Sequence, residues 1–204
     1  MSGFTFDSNR FAAETIRLPM MSLREVVMFP RSIAPLFVGR EASIKAIEQA
    51  VAAHDKKIFL VAQRSPETEK PNPDDLFAMG TVSKILQMLR LPDGTIKVLF
   101  EGLYRAEWDV ESMGVGEDAD YPMVTVRRVP EEESAGAESD ALIRATQEAL
   151  EQYGRINKKL APETILAINS ITAPGRLADA VMPHLKVDYI KKQGVLEEDR
   201  KSVV

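Results

Sequence analysis

The spacing of apolar residues divides the chain into two parts with different periods. From Leu18 to about Val129, short apolar runs and alternating apolar and polar positions predict mostly β-strand. From Ser139 onward, apolar residues recur every three or four positions, which is typical of amphipathic helices. We therefore predict an α+β protein in which a β-rich part precedes a helical part.

Two apolar segments near the start predict the first pair of strands, at Leu23–Phe29 and Ile33–Val38. Pro30 and Pro35 lie where a sheet ladder would need backbone N–H donors. Proline has no N–H, so these strands are expected at a sheet edge, a corner or a bulge.

A hairpin is predicted between Gly80–Leu91 and Thr95–Phe100, with the turn at Pro92-Asp93-Gly94. Glu101-Gly102 interrupts the second strand before Leu103–Val110 and predicts a β-bulge. Two further strands are predicted at Lys57–Gln63 and Tyr121–Arg128.

The β-rich part contains one predicted helix, from about Arg40 to Ala53. Ile44, Ile47 and Val51 share one face of it and are expected to pack on the sheet. In the helical part, Ser139 is a plausible N-cap of the first helix. Further helices are predicted at Pro162–Ile171, Arg176–Leu185 and from Asp188 to Gln193.

Charge and composition restrict the possible functions. The chain has 26 Lys and Arg against 31 Asp and Glu, a net charge of −5, which argues against nucleic-acid binding. It has no cysteine, and His54 and His184 lie far apart, so no zinc-ligand spacing exists. No GxxxxGK[ST] phosphate loop is present. We therefore predict no catalytic residue, metal ligand or cofactor site in this chain.

Several segments, in this order, carry a resemblance to a known family. They are LPMMSLREVVMFPRSIAPLFVGR, KKIFLVAQ, GTVSKILQMLRLPDGTIKVLFEGLYRAEW and APGRLAD, and the likeness covers roughly Leu18 to Gln193. The chain resembles the N-terminal domain of the Lon family of ATP-dependent proteases. The resemblance implies a PUA-like β-barrel with one packed helix, followed by an α-helical bundle.

The implied organisation has four parts. Residues 1–17 form a flexible N-terminus, residues 18–129 the PUA-like β subdomain, residues 130–138 a linker, and residues 139–204 a helical bundle that is truncated before an ATPase module. ATP and Mg are expected only in that missing module, and a Ser-Lys proteolytic dyad only in a further missing domain.

The resemblance also implies a role. It is the recognition of unfolded or damaged protein substrates, with support of a cytoplasmic homohexamer that serves protein quality control. The alternative is a stand-alone adaptor or scaffold domain of Lon-N type with no protease attached. RNA binding by the PUA-like barrel is a third hypothesis, and the acidic charge counts against it.

The predicted contact surface joins the barrel edge near Met28–Arg31 to the exposed face of the first helix. One hypothesis is that Met28, Phe29 and Phe37 line an exposed apolar patch, because thioether and aromatic groups suit adaptable binding surfaces. The alternatives are that the methionines fill the barrel core and that the helix face is ordinary solvated surface. The candidate contact residues are Met28, Phe29, Arg31, Phe37, Arg40, Glu41 and Lys45.

Overall fold

A computed structural model of the chain describes residues 15–115, 120–131, 136–157 and 160–198. Most of the predicted flexible N-terminus, part of the predicted linker and the last residues of the predicted bundle lie outside this set. The strands are β1 (Thr15–Leu23), β2 (Ile33–Val38), β3 (Lys57–Ala62), β4 (Met79–Arg90), β5 (Ile96–Val115) and β6 (Pro122–Arg128). The helices are α1 (Glu41–Ala53), α2 (Ala137–Ile156), α3 (Pro162–Asn169), α4 (Pro174–Val181) and α5 (Tyr189–Glu197), with short 3₁₀ turns at Pro73–Asp75 and Met182–His184.

The strands close into a barrel, and the predicted α+β class is confirmed. β1 pairs with β3 in parallel and with β6 antiparallel, while β4 lies between β3 and β5. The second half of β5 pairs with β6, which completes the ring β1–β3–β4–β5–β6.

β2 lies outside this ring and pairs with the first half of β5, from Ile33 opposite Glu101 to Val38 opposite Ile96. In the described part of the chain it has no second strand partner, so it is an edge strand, as Pro35 predicts.

The prediction for the first strand was wrong. β1 ends at Leu23, and residues 24–32 connect it to β2 as a loop in which Glu25 and Arg31 have positive φ angles. Met28 and Phe29 are buried from this loop, and Val26 and Val27 are half-buried against the neighbouring clusters. A buried loop and a buried strand produce the same apolar run, so the pattern could not separate them. Thr15–Arg17, predicted to be flexible, are part of β1 and pair with β6.

Of the residues predicted to pack on the sheet, Ile47 is buried and Ile44 is half-buried against the same core, as predicted, but Val51 does not belong to the packing face of helix α1. Its buried residues are Ser43, Ala46, Ile47 and Ala50, whereas Val51 is exposed. Small side chains let a helix backbone approach β1 and β3 closely, and a search for large apolar residues overlooks them.

The predicted hairpin and bulge are both present. Gly94 has φ +86°, and the Asp93 Oδ1 atom accepts a hydrogen bond of 2.9 Å from Thr95 N. The β4–β5 register shifts where Val82 pairs with Tyr104 but Ser83 pairs with Gly102. A Cβ at Gly102 would overlap the carbonyl oxygen of Phe29, so the loop from β1 to β2 requires glycine here.

The helical part has its own core. Helix α2 begins after Gly136, so Ser139 lies inside the helix and is not its N-cap. Pro162 and Pro174 occupy the first turns of α3 and α4, where the missing N–H costs no hydrogen bond. The shared core consists of Ile143, Leu150, Leu160, Ile168, Leu177 and Val181.

A further apolar cluster joins the two parts, and we call it the junction. Phe29 from the barrel loop packs there with Met182 and Leu196 from the helical part. Gln193 Nε2 donates a hydrogen bond of 2.9 Å to the Met79 carbonyl. The barrel and the helices therefore share a buried surface in addition to their covalent connection.

Candidate functional site

Two of the predicted contact residues are buried. Met28 packs in the main barrel cluster, and its carbonyl accepts a 2.6 Å hydrogen bond from Thr81 Oγ1. Phe29 is 0% exposed because it fills the junction. The hypothesis that these two side chains line an exposed patch was wrong, because the loop that carries them turns them into the protein.

Arg31 is exposed and forms ion pairs that connect the barrel loop to residues beyond the barrel. Its Nη2 atom donates hydrogen bonds of 2.7 Å to both carboxylate oxygens of Glu131, and its Nη1 atom lies 4.0 Å from Asp179 Oδ2. The side chain thus braces the two parts of the fold.

Lys45 and Glu41 form a surface ion-pair group on α1. Lys45 Nζ lies 2.5 Å from Asp120 Oδ2 and 3.1 Å from Glu41 Oε1. The hydrogen bond to Asp120, followed by that to Glu41, raises the pKa of Lys45. Exposed pairs of this kind contribute little to stability, so these residues resemble ordinary solvated helix surface.

Phe37 is the predicted aromatic residue that does reach solvent, with 69% of its surface exposed. In the register of β2, β5 and β4, Phe37 lies opposite Lys97, and Lys97 lies opposite Leu89. The Lys97 Nζ atom is 5.6 Å from the centroid of the Phe37 ring, a cation–π geometry.

The neighbouring rows extend this exposed apolar surface. Pro35 lies opposite Leu99 one row along, and Ile33 follows in the next row. We call the combined surface the β2 face; its apolar members are Ile33, Pro35, Phe37, Leu89 and Leu99, all exposed except the half-buried Leu99. Ile33 and Leu89 were not among the predicted contact residues. The available signal was Leu99, an apolar residue that shares the solvent-facing side of β5 with Lys97.

A groove runs beside β2, with a volume of about 480 Å³. We call it the β2 groove. Its apolar lining comes from the end of β1 and the following loop on one side and from β2 on the other: Met21, Leu23, Val26, Pro35, Leu36, Phe37 and Val38. Its polar lining comes from Ser22, Arg24, Arg40 and Ser43.

Arg40 lies at the end of this groove, between β2 and α1. Its Nη1 atom donates a 3.0 Å hydrogen bond to Gln63 Oε1, and its Nη2 atom donates to the Ser22 carbonyl. Burial, with the nearby positive charge of Arg24, lowers the pKa of Arg40. Among the described residues, neither arginine forms an ion pair with a carboxylate.

The described residues show no metal-binding group. No three or more His, Cys, Asp or Glu side chains lie together there in a way that could hold an ion.

Burial, and then the charge of Lys192, lowers the pKa of His184. In the same described ranges, no helix has both the length and the hydropathy to span a bilayer.

Comparison with known proteins agrees with the barrel-and-helices architecture. The family model described as the ATP-dependent protease La (LON) substrate-binding domain matches residues 17–201. The Lon protease of Nitratidesulfovibrio vulgaris is 67% identical over 185 residues, which make up 90% of this chain and 22% of that protein. The Lon protease of Escherichia coli K12 is 43% identical over 185 residues, 91% of this chain and 23% of that protein. The chain therefore spans less than a quarter of the length of these curated relatives.

Two solved structures show the same fold. The N-terminal domain of Mycobacterium avium complex Lon protease superposes with a TM-score of 0.73 at 22% identity, covering 90% of each chain. A Lon N-terminal domain protein from Xanthomonas campestris gives a TM-score of 0.57 at 14% identity, covering 90% of this chain and 91% of that one. With the family match over residues 17–201, these findings confirm the predicted resemblance: the chain belongs to the family of LON substrate-binding domains.

Proposed function

We propose that this chain is the non-catalytic substrate-recognition part of an ATP-dependent serine protease, and that the β2 face contacts apolar segments of unfolded or damaged proteins. The observation that carries the proposal is the set of adjacent exposed apolar side chains around Phe37, on a strand whose outer edge has no partner strand in the described residues. Contiguous apolar surface of this kind marks interaction sites in soluble proteins.

The chemistry of the face suits substrates that share no motif. Its side chains offer apolar area, and Lys97 adds one positive charge beside Phe37. Burial of apolar surface contributes about 25 cal/mol per Å² without directional requirements, so many sequences can bind weakly. In a homohexamer, several such sites would raise the avidity through effective concentration.

The remaining activities belong to the proposed full-length protein. We propose that ATP and Mg binding and the Ser-Lys dyad belong to parts of that protein outside this chain, which spans 22–23% of its curated relatives. The family resemblance also suggests that the full-length protein forms a hexamer, serves protein quality control and is located in the cytoplasm. These three points stay proposals. The stand-alone adaptor is the alternative, and the reading frame after Val204 distinguishes the two.

The test is binding of a fluorescently labelled, permanently unfolded polypeptide, measured by anisotropy. Phe37→Asp is expected to weaken binding about tenfold, because losing ~1.4 kcal/mol of apolar contact corresponds to that factor. Leu166→Asp is the matched control, since Leu166 on α3 is 70% exposed and lies outside the β2 face. Equal losses in both variants, or none in Phe37→Asp with its fold intact by circular dichroism, would remove the β2 face from consideration.

A further inference from the structure

The β2 groove ends against the first turn of α1. β2 leads into this helix through only Gly39 and Arg40, and the Arg40 side chain does not cap it. Ser43, in the first turn, lines the groove and is only 7% exposed. In the described part of the chain, its hydroxyl has no hydrogen-bond partner. The hydroxyl is therefore available to hydrogen-bond a group that binds in the groove.

The charge at this end of the groove is positive, although the chain as a whole carries −5. Arg24 and Arg40 both line the groove, and their described polar contacts are neutral oxygens. The nearest acidic side chain on α1, Glu41, is largely exposed and pairs with Lys45. The helix N-terminus adds partial positive charge in the same place.

The free edge of β2 supplies backbone groups along the groove. On the opposite edge of β2, which faces β5, the Gly102 N–H donates a hydrogen bond to the Ser32 carbonyl, and this bond fixes which residues of β2 pair with β5. On the free edge, Pro35 has no N–H to donate. Because antiparallel pairing alternates, Ala34 and Leu36 bond to β5, and the backbone groups of Ile33 and Phe37 point away from it. An extended peptide can add to such an edge.

From this geometry we propose that the β2 groove binds the C-terminal segment of a polypeptide, with the terminal carboxylate held at the first turn of α1 by Ser43, Arg24 and Arg40. The segment lies parallel to β2 and places apolar side chains against Val26 and Leu36. The proposal rests on the proposed function and specifies its substrate class: chains with an apolar, free C-terminus.

The terminal carboxylate fits better than an acidic side chain for a geometric reason. Because α1 begins only three residues after Val38, a peptide that runs parallel to β2 brings its C-terminal end, and with it the terminal carboxylate, towards the first turn of this helix. Carboxylate at a helix N-terminus with an arginine fork is a strong charge-assisted arrangement.

The test compares three eight-residue peptides with an N-terminal fluorophore and the same apolar sequence. The first has a free C-terminal carboxylate, the second has a C-terminal amide, and the third has the amide and an internal aspartate. Binding to the full chain is measured by anisotropy. The free-acid peptide is expected to bind at least tenfold more tightly than the amide, and the aspartate peptide is expected to bind like the amide.

Ser43→Ala and Arg24→Gln are the diagnostic variants, because Arg40 also holds Gln63 and Ser22 in place. Each is expected to reduce the preference for the free acid at least threefold while leaving the affinity for the amide unchanged. Arg144→Gln, on the exposed surface of α2, is the control of equal charge change and should keep the full preference.

Three results would overturn the proposal. They are equal binding of acid and amide, binding of the aspartate peptide as tight as that of the acid, or no binding of any peptide. The β2-face proposal is separable, because Phe37→Asp would still weaken binding of the unfolded polypeptide if only the carboxylate site were absent.

Discussion

Arg105 and Asp179 form the most deeply buried ion pair among the described residues, and they connect the two parts of the fold. Arg105 Nη1 donates a 2.7 Å hydrogen bond to Asp179 Oδ2, its Nη2 donates to Oδ1, and its Nε donates to the Leu196 carbonyl at 3.0 Å. Both side chains are almost completely buried. Removing one partner of such a pair leaves the other as an uncompensated buried charge.

Arg105→Met is therefore expected to lower the free energy of unfolding by about 3–5 kcal/mol, measured by urea denaturation. The control is Arg90→Gln, which removes the exposed pair between Arg90 and Glu48 and should change stability by less than ~1 kcal/mol. Equal effects of the two substitutions would show that burial of the Arg105 pair has no special role.

The lowered pKa of His184 predicts that stability depends on pH in the mildly acidic range. Its pKa in the folded chain is below the ordinary 6.5, so the unfolded chain binds more protons in the interval between the two values. The free energy of unfolding should therefore be level above about pH 6.5 and should fall as the pH decreases below it. His184→Gln is expected to reduce this slope in urea titrations between pH 5 and 8. An identical slope in the variant would contradict the assignment.

At the scale of elements, the parts of the fold that depend on local signals could be predicted. Pro35 indicated an edge strand, Pro92-Asp93-Gly94 a tight turn, and Gly102 a bulge, because each restricts the backbone where it stands. The burial of Phe29 in the junction could not be predicted, because an apolar run is equally compatible with a strand and with a buried loop.

The candidate site likewise contains residues that could be predicted from the sequence and residues that could not. Phe37 was predicted as one of three apolar residues suited to an adaptable binding surface, and it is the one of the three that is exposed. Leu89 was missed, because its proximity to Phe37 depends on the registers of two strand pairs and the bulge between them. Ser43 was missed because a small polar residue carries no periodic signal.

The bulge in β5 permits a direct test of element packing. Gly102→Ala is expected to destabilise the chain by about 1–3 kcal/mol, because the new Cβ overlaps a backbone oxygen that cannot rotate away. Gly194→Ala is the matched control, since open space surrounds that position within α5 and alanine should stabilise the helix by about 0.5–1 kcal/mol. Thermal denaturation that showed the same sign for both would contradict this account of Gly102.

At the scale of the molecule, the junction predicts that the barrel and the helices unfold together. Trp108, the single tryptophan, is buried in the barrel and donates a hydrogen bond of 2.9 Å to the Phe77 carbonyl, so its fluorescence reports the barrel. Circular dichroism at 222 nm reports mainly the helices. The two signals are expected to give coincident urea transitions in the wild type. Separate midpoints would show that the junction does not couple the two parts.

The same junction explains why the β2 face remains available. Phe29 and Arg31 are used to hold the helical part, whereas Phe37 and its neighbours on β4 and β5 take no part in that contact. The contacts that hold the helical part and the proposed recognition surface thus lie at different places in the loop and strand that follow β1.

The most direct test of the central claim is amide chemical-shift mapping of the isotope-labelled chain with an unlabelled, unfolded polypeptide. We expect the largest shifts at Ile33–Val38 and at the paired positions of β4 and β5, from 86 to 89 and from 97 to 99, with little change in α2 and α3. Shifts centred on the helical part, or none at polypeptide concentrations that saturate binding, would contradict the account.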